Sequence, residues 1–190
     1  MINLRAHSRH MPQRIVLTGG PSTGKTAIIQ ALEAQGQLCM QEISREVTQA
    51  ARQQGIEQLF VSDPLAFSQA LFEGRKTQFI ESGQIESPRV FLDRGIIDVV
   101  AYLRMVKTPY PDYFDHAIEE HRYDVVFYLP PWEEIYQSDQ ERYEDFSLAL
   151  EIDHHLKATY TSFGYSLHFI EPGSVDSRIQ SIFEVLNSQP

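Results

Sequence analysis

The sequence predicts an α/β fold: a mainly parallel sheet of five strands with helices on both faces, giving three layers. Three observations carry this. Five short apolar runs recur along the chain, around Val16, Cys39, Phe91, Phe127 and Phe169. Each is followed by a segment whose apolar residues have helical spacing. No repeat, low-complexity block or linker interrupts the alternation. Strands that alternate with helices need right-handed crossovers. In such sheets ligands sit past the carboxyl ends of the strands, so the residues directly after each strand are the ones to inspect.

Residues 1–13 read as a loose tail. They carry Arg5, Arg9 and two histidines but no apolar stretch of the signal-peptide kind. Residues 14–190 read as one domain. Arg14 to Thr18 is a first strand, and Ala27 to Ala34 a helix stopped at Gly36. Leu38 to Met40 is a brief second strand, and Glu42 to Gln54 a helix ending at Gly55. Asp63-Pro64 starts a long helix, with proline in the first turn, that runs to about Ser82 with Leu65, Phe72 and Phe79 spaced by two turns, and stops at Gly83. Pro88 precedes a third strand, Arg89 to Asp93, and Gly95 opens a helix with Ile96, Val100 and Leu103 on one face. Pro109 and Pro111 break the chain before a short helix from Asp112 to Glu120. Asp124 to Leu129 is a fourth strand, closed by Pro130-Pro131. Trp132 to Phe146 is polar and dense in charge. Ser147 to Phe163 is a helix, Leu167 to Ile170 a fifth strand, Pro172-Gly173-Ser174 a turn and Val175 to Leu186 a last helix.

A length of 190 residues allows a core that folds without staples. The net charge of −10 argues against a nucleic-acid or anionic-membrane surface, since either needs a basic face. It leaves room for a local basic pocket. Cys39 is the only cysteine, which excludes an internal disulfide and a cysteine metal cage; it reads as a small buried apolar residue. No apolar run has the length of a transmembrane helix, and cytoplasmic residence is the expectation.

Gly19-Gly20-Pro21-Ser22-Thr23-Gly24-Lys25-Thr26 fits the phosphate-loop pattern G-x-x-x-x-G-K-[ST] at every fixed position, between a strand and a helix. Glycines let successive N–H groups turn inward toward phosphate oxygens, and the helix N-terminus adds partial positive charge. Lys25 is placed to reach the β- and γ-phosphates of ATP, and the Thr26 hydroxyl to ligate Mg²⁺.

Asp93 ends the third strand, where a Mg²⁺-organising carboxylate is expected; the fourth strand ends in prolines and offers no rival acid. Arg94 beside it suits a phosphoryl clamp. The alternative for the pair is a strand-end salt bridge at the surface. Glu42 follows the second strand and is placed to face an acceptor hydroxyl; equally, it could be an acid that the helix dipole favours. Arg142 lies in the charged segment after strand four, which could close as a lid or simply be a solvated face. Pro172, Gly173 and Ser174 could pass beside the nucleotide base or form a plain turn. Arg75 and Lys76 read as surface, and Asp153-His154-His155 lacks metal-ligand spacing and reads as structural.

The chain resembles the ATPase/kinase-like domain of the NAD-biosynthesis regulator NadR and of the fly TRPL-translocation-defect protein, and more distantly nucleoside kinases. The stretches that carry this are Ile15 to Thr26, Glu42-Ile43-Ser44-Arg45-Glu46 and Phe91-Leu92-Asp93-Arg94-Gly95-Ile96-Ile97-Asp98 with Ala101-Tyr102-Leu103. Arg142-Tyr143-Glu144, Tyr160 with Gly164-Tyr165, and Glu171 to Val175 complete the set. The match spans about Arg14 to Leu186. The resemblance implies a nucleoside-kinase-like fold with sheet order 2-3-1-4-5 and a lid. It also implies Glu42 at the acceptor hydroxyl, Asp93 and Arg94 by Mg²⁺ and phosphate, and Arg142 in the lid. Asp98 and Tyr102 belong to the family pattern on a helix expected to be buried. These 190 residues hold no adenylyltransferase half, so a NadR-type pathway role is not implied.

Two functions follow. One is a small-molecule kinase that moves the γ-phosphoryl of MgATP to a hydroxyl of a nucleoside-like metabolite. The other is a nucleotide-dependent switch or ATPase with no such acceptor. Asn3 and Asn187 are the only asparagines and neither lies in an N-K-x-D motif, so Ras-like guanine selectivity is not expected.

Overall fold

A computed structural model describes residues 11–53, 55–56, 62–135 and 146–188. The element order is β1 (Gln13–Thr18), α1 (Lys25–Ala34), β2 (Leu38–Met40), α2 (Ser44–Gln53), α3 (Pro64–Ser82), β3 (Arg89–Asp93) and α4 (Ile96–Met105). There follow α5 (Tyr113–Glu120), β4 (Val125–Tyr128), a 3₁₀ turn (Glu133–Ile135), α6 (Phe146–Ser162), β5 (Leu167–Phe169) and α7 (Val175–Ser188). The strands form one sheet in the order β2-β3-β1-β4-β5, every pairing parallel. The expected α/β three-layer fold and its 2-3-1-4-5 order are the ones observed.

Strand alternation sorts the core into two layers. Val16, Leu92, Val126 and Tyr128 face α3, α4, α5 and α6. Ile15, Leu17, Phe91, Val125 and Phe127 face α1 and α7. Burial of both faces explains why the central strands read as continuous apolar runs rather than alternating ones. The register sets Leu17 of β1 opposite Asp93 of β3, and Thr18 opposite Tyr128 of β4. The carboxyl ends of the three central strands therefore open at one edge of the sheet, next to the glycine loop.

Boundaries shift from expectation by a residue or two. Helix α2 starts at Ser44 rather than Glu42, because the Glu42 carboxylate accepts from the Ser44 N–H at 3.0 Å and caps the turn. Cys39 is only partly buried, on a short strand at the sheet edge. Burial pushes its thiol pKa up to about 12, so it stays protonated. No helix among the described residues is long and apolar enough to cross a membrane.

Candidate functional site

The glycine loop is built by local conformation. Gly19 has φ +146° and Gly24 φ +82°, both in the region that favours glycine. A side chain at Gly19 would also run into the Leu129 carbonyl. The Thr23 hydroxyl donates to the Gly20 carbonyl at 3.1 Å and tightens the curl. Lys25 folds over the loop: its ammonium donates to the carbonyls of Gly19 (2.8 Å) and Gly20 and to the Thr23 hydroxyl (3.0 Å). Lys25 is buried, and burial together with Arg94 lowers its pKa well below the ordinary lysine value. Thr26, one residue into α1, is exposed.

β3 and α4 supply the second part. Asp93 is 6% exposed, so the surface salt bridge is not its role. Its Oδ1 is buried without a hydrogen-bond partner, and burial raises its pKa. Arg94 adopts φ +74°, a strained conformation for a side-chain-bearing residue that costs about 1–3 kcal/mol. Four interactions hold it there. Its N–H donates to the Leu17 carbonyl (3.0 Å), its Nη1 to the Gly19 carbonyl (3.0 Å) and to Asp98 Oδ1 (3.3 Å), and its Nε pairs with Glu42 Oε2 (2.7 Å). Burial opposes the Arg94 charge, but Tyr102, Asp98, Glu42 and Asp93 outweigh that and raise its pKa.

Glu42, after β2, thus meets the loop through one guanidinium. A second comes from Arg75 of α3, whose Nη2 donates to Glu42 Oε1 at 2.9 Å. Burial alone would raise the Glu42 pKa; Arg75 and Arg94 overcome it and hold the carboxyl at about 2. Arg75 was expected at the surface and is instead 4% exposed, with Nη1 on the Gly95 carbonyl at 3.3 Å. The reason is spacing: Phe72, Arg75, Phe79 and Ser82 form the buried stripe of α3.

Asp98 ties these pieces to the core. It is fully buried and accepts from the Thr18 hydroxyl (2.6 Å), the Gly95 N–H (2.9 Å), the Tyr160 hydroxyl (2.6 Å) and Arg94. Strand β1, helix α4 and helix α6 meet on this one carboxylate. Asp153 of α6 does similar work, accepting from the buried Tyr128 hydroxyl at 2.7 Å and pairing with Lys157.

Lys25, Glu42, Asp93 and Arg94 come together. Pro172, Gly173 and Ser174 make no hydrogen bond to them among the described residues: Pro172 and Ser174 are exposed, and Ser174 caps α7 by accepting from the Ser177 N–H at 3.1 Å. Arg142 lies outside the described residues. Sequence reasoning missed Arg178 of α7, which is 4% exposed and whose Nη1 donates to the Thr23 carbonyl at 3.0 Å.

The residues present fit a Mg²⁺ ion. An unpartnered buried Asp93 oxygen and an exposed Thr26 hydroxyl flank the loop, a sparse oxygen set that suits an ion which keeps its waters and takes phosphate ligands. Among the described residues no cluster of three or more His, Cys, Asp or Glu could cage a metal alone.

The AAA-domain family model matches residues 14–178. The chain belongs to that family. Among solved structures, this AAA domain superposes on NadR in complex with NR with TM-score 0.69 and 19% identity, over 95% of this chain and 53% of that one. It therefore spans about half the length of NadR. Deoxyadenosine kinase from M. mycoides, with the products dCMP and dCDP bound, gives TM-score 0.65 and 15% identity over 93% of this chain and all of that one. Thymidylate kinase from Ehrlichia chaffeensis gives 0.66 and 14%, over 93% of this chain and all of that one. No curated protein sequence matches. The fold is that of a phosphate-loop NTPase, similar to nucleoside and nucleotide kinases.

Proposed function

We propose that this AAA-domain protein is a small-molecule kinase that transfers the γ-phosphoryl of MgATP to a hydroxyl of a nucleoside-like metabolite. The observation that carries the reading is Arg94. One strained side chain touches the loop carbonyl of Gly19 at 3.0 Å and the Glu42 carboxylate at 2.7 Å, so the donor grip and an acid from another strand end lie one guanidinium apart. A switch needs the grip but has no use for the second acid.

In this reading the inward amides of Gly20 to Thr26 and the Lys25 ammonium hold the β- and γ-phosphates, with Lys25 leaving the loop carbonyls for phosphate oxygens. Asp93 and Thr26 would hold Mg²⁺, which supplies charge neutralisation on the phosphates. Glu42 accepts the hydrogen bond of the acceptor hydroxyl and aims its oxygen. That oxygen bonds to the γ-phosphorus as the bond to the β-phosphate oxygen breaks, ADP departs, and the hydroxyl proton passes through Glu42 to solvent. A carboxyl with pKa about 2 is a weak base, but phosphoryl transfer through a loose transition state asks mainly for position and charge neutralisation. Arg94 stabilises charge on the moving group, and Arg142 is the lid residue of this proposal.

The test is ADP release across a panel of nucleosides and sugars, with Glu42→Gln as control. One compound should raise release well above the hydrolysis background, and the variant should abolish that rise. A flat response across the panel favours the switch or plain ATPase.

A further inference from the structure

Among the described residues Arg178 is a buried cation without a counter-charge. It is 4% exposed, and among the described residues no carboxylate lies within ion-pair distance of it. Its Nε is buried with no hydrogen-bond partner. Burial alone acts on its charge and pulls its pKa below the usual arginine value. Arg75 and Arg94, its buried neighbours in kind, both have Glu42. An unmatched buried charge is destabilising in a folded protein, so its retention points to a ligand that carries the missing negative charge.

Its position says which ligand. Arg178 Nη1 donates to the Thr23 carbonyl at 3.0 Å, and a Cβ at Gly24 would lie 2.7 Å from the same nitrogen. The guanidinium is therefore seated against the back of the Thr23–Gly24 peptide. No peptide here is cis. In a trans unit the C=O and N–H point in opposite directions. A carbonyl held outward by Arg178 leaves the Gly24 N–H pointing into the loop, and that N–H makes no hydrogen bond within the described residues. A cationic donor on the carbonyl also polarises the whole unit and strengthens the opposing N–H as a donor. Trp132, just before the 3₁₀ turn, has its ring centroid 5.9 Å from the Arg178 Cζ, within cation–π reach.

We propose that Arg178 is a positioning residue for the polyphosphate of the donor nucleotide: it orients and polarises the Thr23–Gly24 peptide toward phosphate, and its unmatched charge is balanced when the phosphates bind. This rests on the nucleotide-binding reading above, and it adds a fourth cation that reaches the phosphates through the back of the loop. It also gives Gly24 a second duty, since any side chain there displaces the guanidinium.

The experiment compares wild type, Arg178→Met and Arg178→Lys. Each is melted without ligand and titrated with MgATP and with magnesium tripolyphosphate, followed by calorimetry and by the emission of the sole tryptophan, Trp132. Arg178→Met should melt at or above the wild-type temperature when empty, because it removes an unpaired buried charge, yet bind both probes about tenfold or more weakly. Arg178→Lys should recover part of that loss. Three outcomes overturn the proposal. Arg178→Met that fails to fold, or melts far below wild type with unchanged affinity, makes Arg178 a structural residue. Loss of MgATP affinity without loss for tripolyphosphate makes it a base contact. Wild type that binds neither probe removes the nucleotide reading itself, and the wild-type titrations tell that failure from the other two.

Discussion

Glu42 accepts from Arg75 at 2.9 Å and pairs with Arg94 at 2.7 Å, and this fixes how it responds to acid. Its pKa lies near 2 in the folded chain against an ordinary value of 4.5. A lowered acid contributes stability that is complete above the unfolded value and is lost as pH falls toward the folded one. The difference in stability between wild type and Glu42→Gln, from denaturant midpoints at pH 6 to 3, should therefore be constant above pH 4.5 and shrink below it. Its full span is at most about 3 kcal/mol. A difference that stays constant down to pH 3 would show that the pair does not hold Glu42 ionised. At pH 7 the variant should also be less stable, since it strands the buried Arg75 charge. Lys25 makes the opposite case. Its ammonium is held only by loop oxygens, so Lys25→Ala should keep the circular-dichroism spectrum of wild type while MgATP titrations lose their signal. Unchanged affinity in that variant would remove the loop from the site.

Helix α4 shows what an element contributes here and how much of it the sequence disclosed. Gly95 begins it with φ −120°, which any residue can adopt, so its smallness is steric: a Cβ would lie 2.9 Å from the Tyr123 ring and 3.1 Å from the Tyr160 hydroxyl. Gly95→Ala should cost about 1–3 kcal/mol by overpacking. It should also push Tyr160 off Asp98 and slacken Arg94, so MgATP turnover should fall along with the melting temperature. Wild-type turnover in a destabilised variant would separate the cap from the site. The helices and strands were legible because apolar spacing encodes them, and the glycine loop because its conformation demands fixed residues. Arg75 and Arg178 were not, because arginine on a helix ordinarily marks water. Both nonetheless lie on the apolar stripe of their helix: Arg75 between Phe72 and Phe79, Arg178 one turn before Ile182 and two before Leu186. Asp98 lies in a helix buried on nearly every side. The usable signal was a charge at a position whose spacing requires an apolar residue, since such a charge needs a partner or a ligand. The turn at Pro172 to Ser174 carried no such signal, and its Ser174 caps α7.

At the scale of the molecule, a chain of net charge −10 gathers Lys25, Arg75, Arg94 and Arg178 at the carboxyl edge of its sheet, against Glu42, Asp93 and Asp98. Arg75 and Arg94 pair with carboxylates, Lys25 and Arg178 donate only to loop oxygens within the described residues, and the Arg178 Nε and Asp93 Oδ1 are among the buried polar atoms with no hydrogen-bond partner. Among the described residues the fold thus carries two buried cations without a carboxylate partner, Lys25 and Arg178, and one buried acid oxygen without a donor. In the proposed reading polyphosphate answers the cations and Mg²⁺ the acid oxygen, so the two ligands should stabilise the fold together more than either does alone. At a hundredfold excess over its dissociation constant a ligand adds about 2.7 kcal/mol, and for a chain of this size that raises the melting temperature by about 5–10 °C. We expect a rise of that order with MgATP. With ATP in excess EDTA the rise should be less than half as large, because triphosphate then meets the Asp93 carboxylate without an intervening cation. Asp93→Asn removes that repulsion, so in this variant the shifts with and without Mg²⁺ should converge. Equal shifts with and without Mg²⁺ in wild type would mean that Asp93 does not face the metal, and Asp93 would then have to be explained as a buried acid of the β3 end alone.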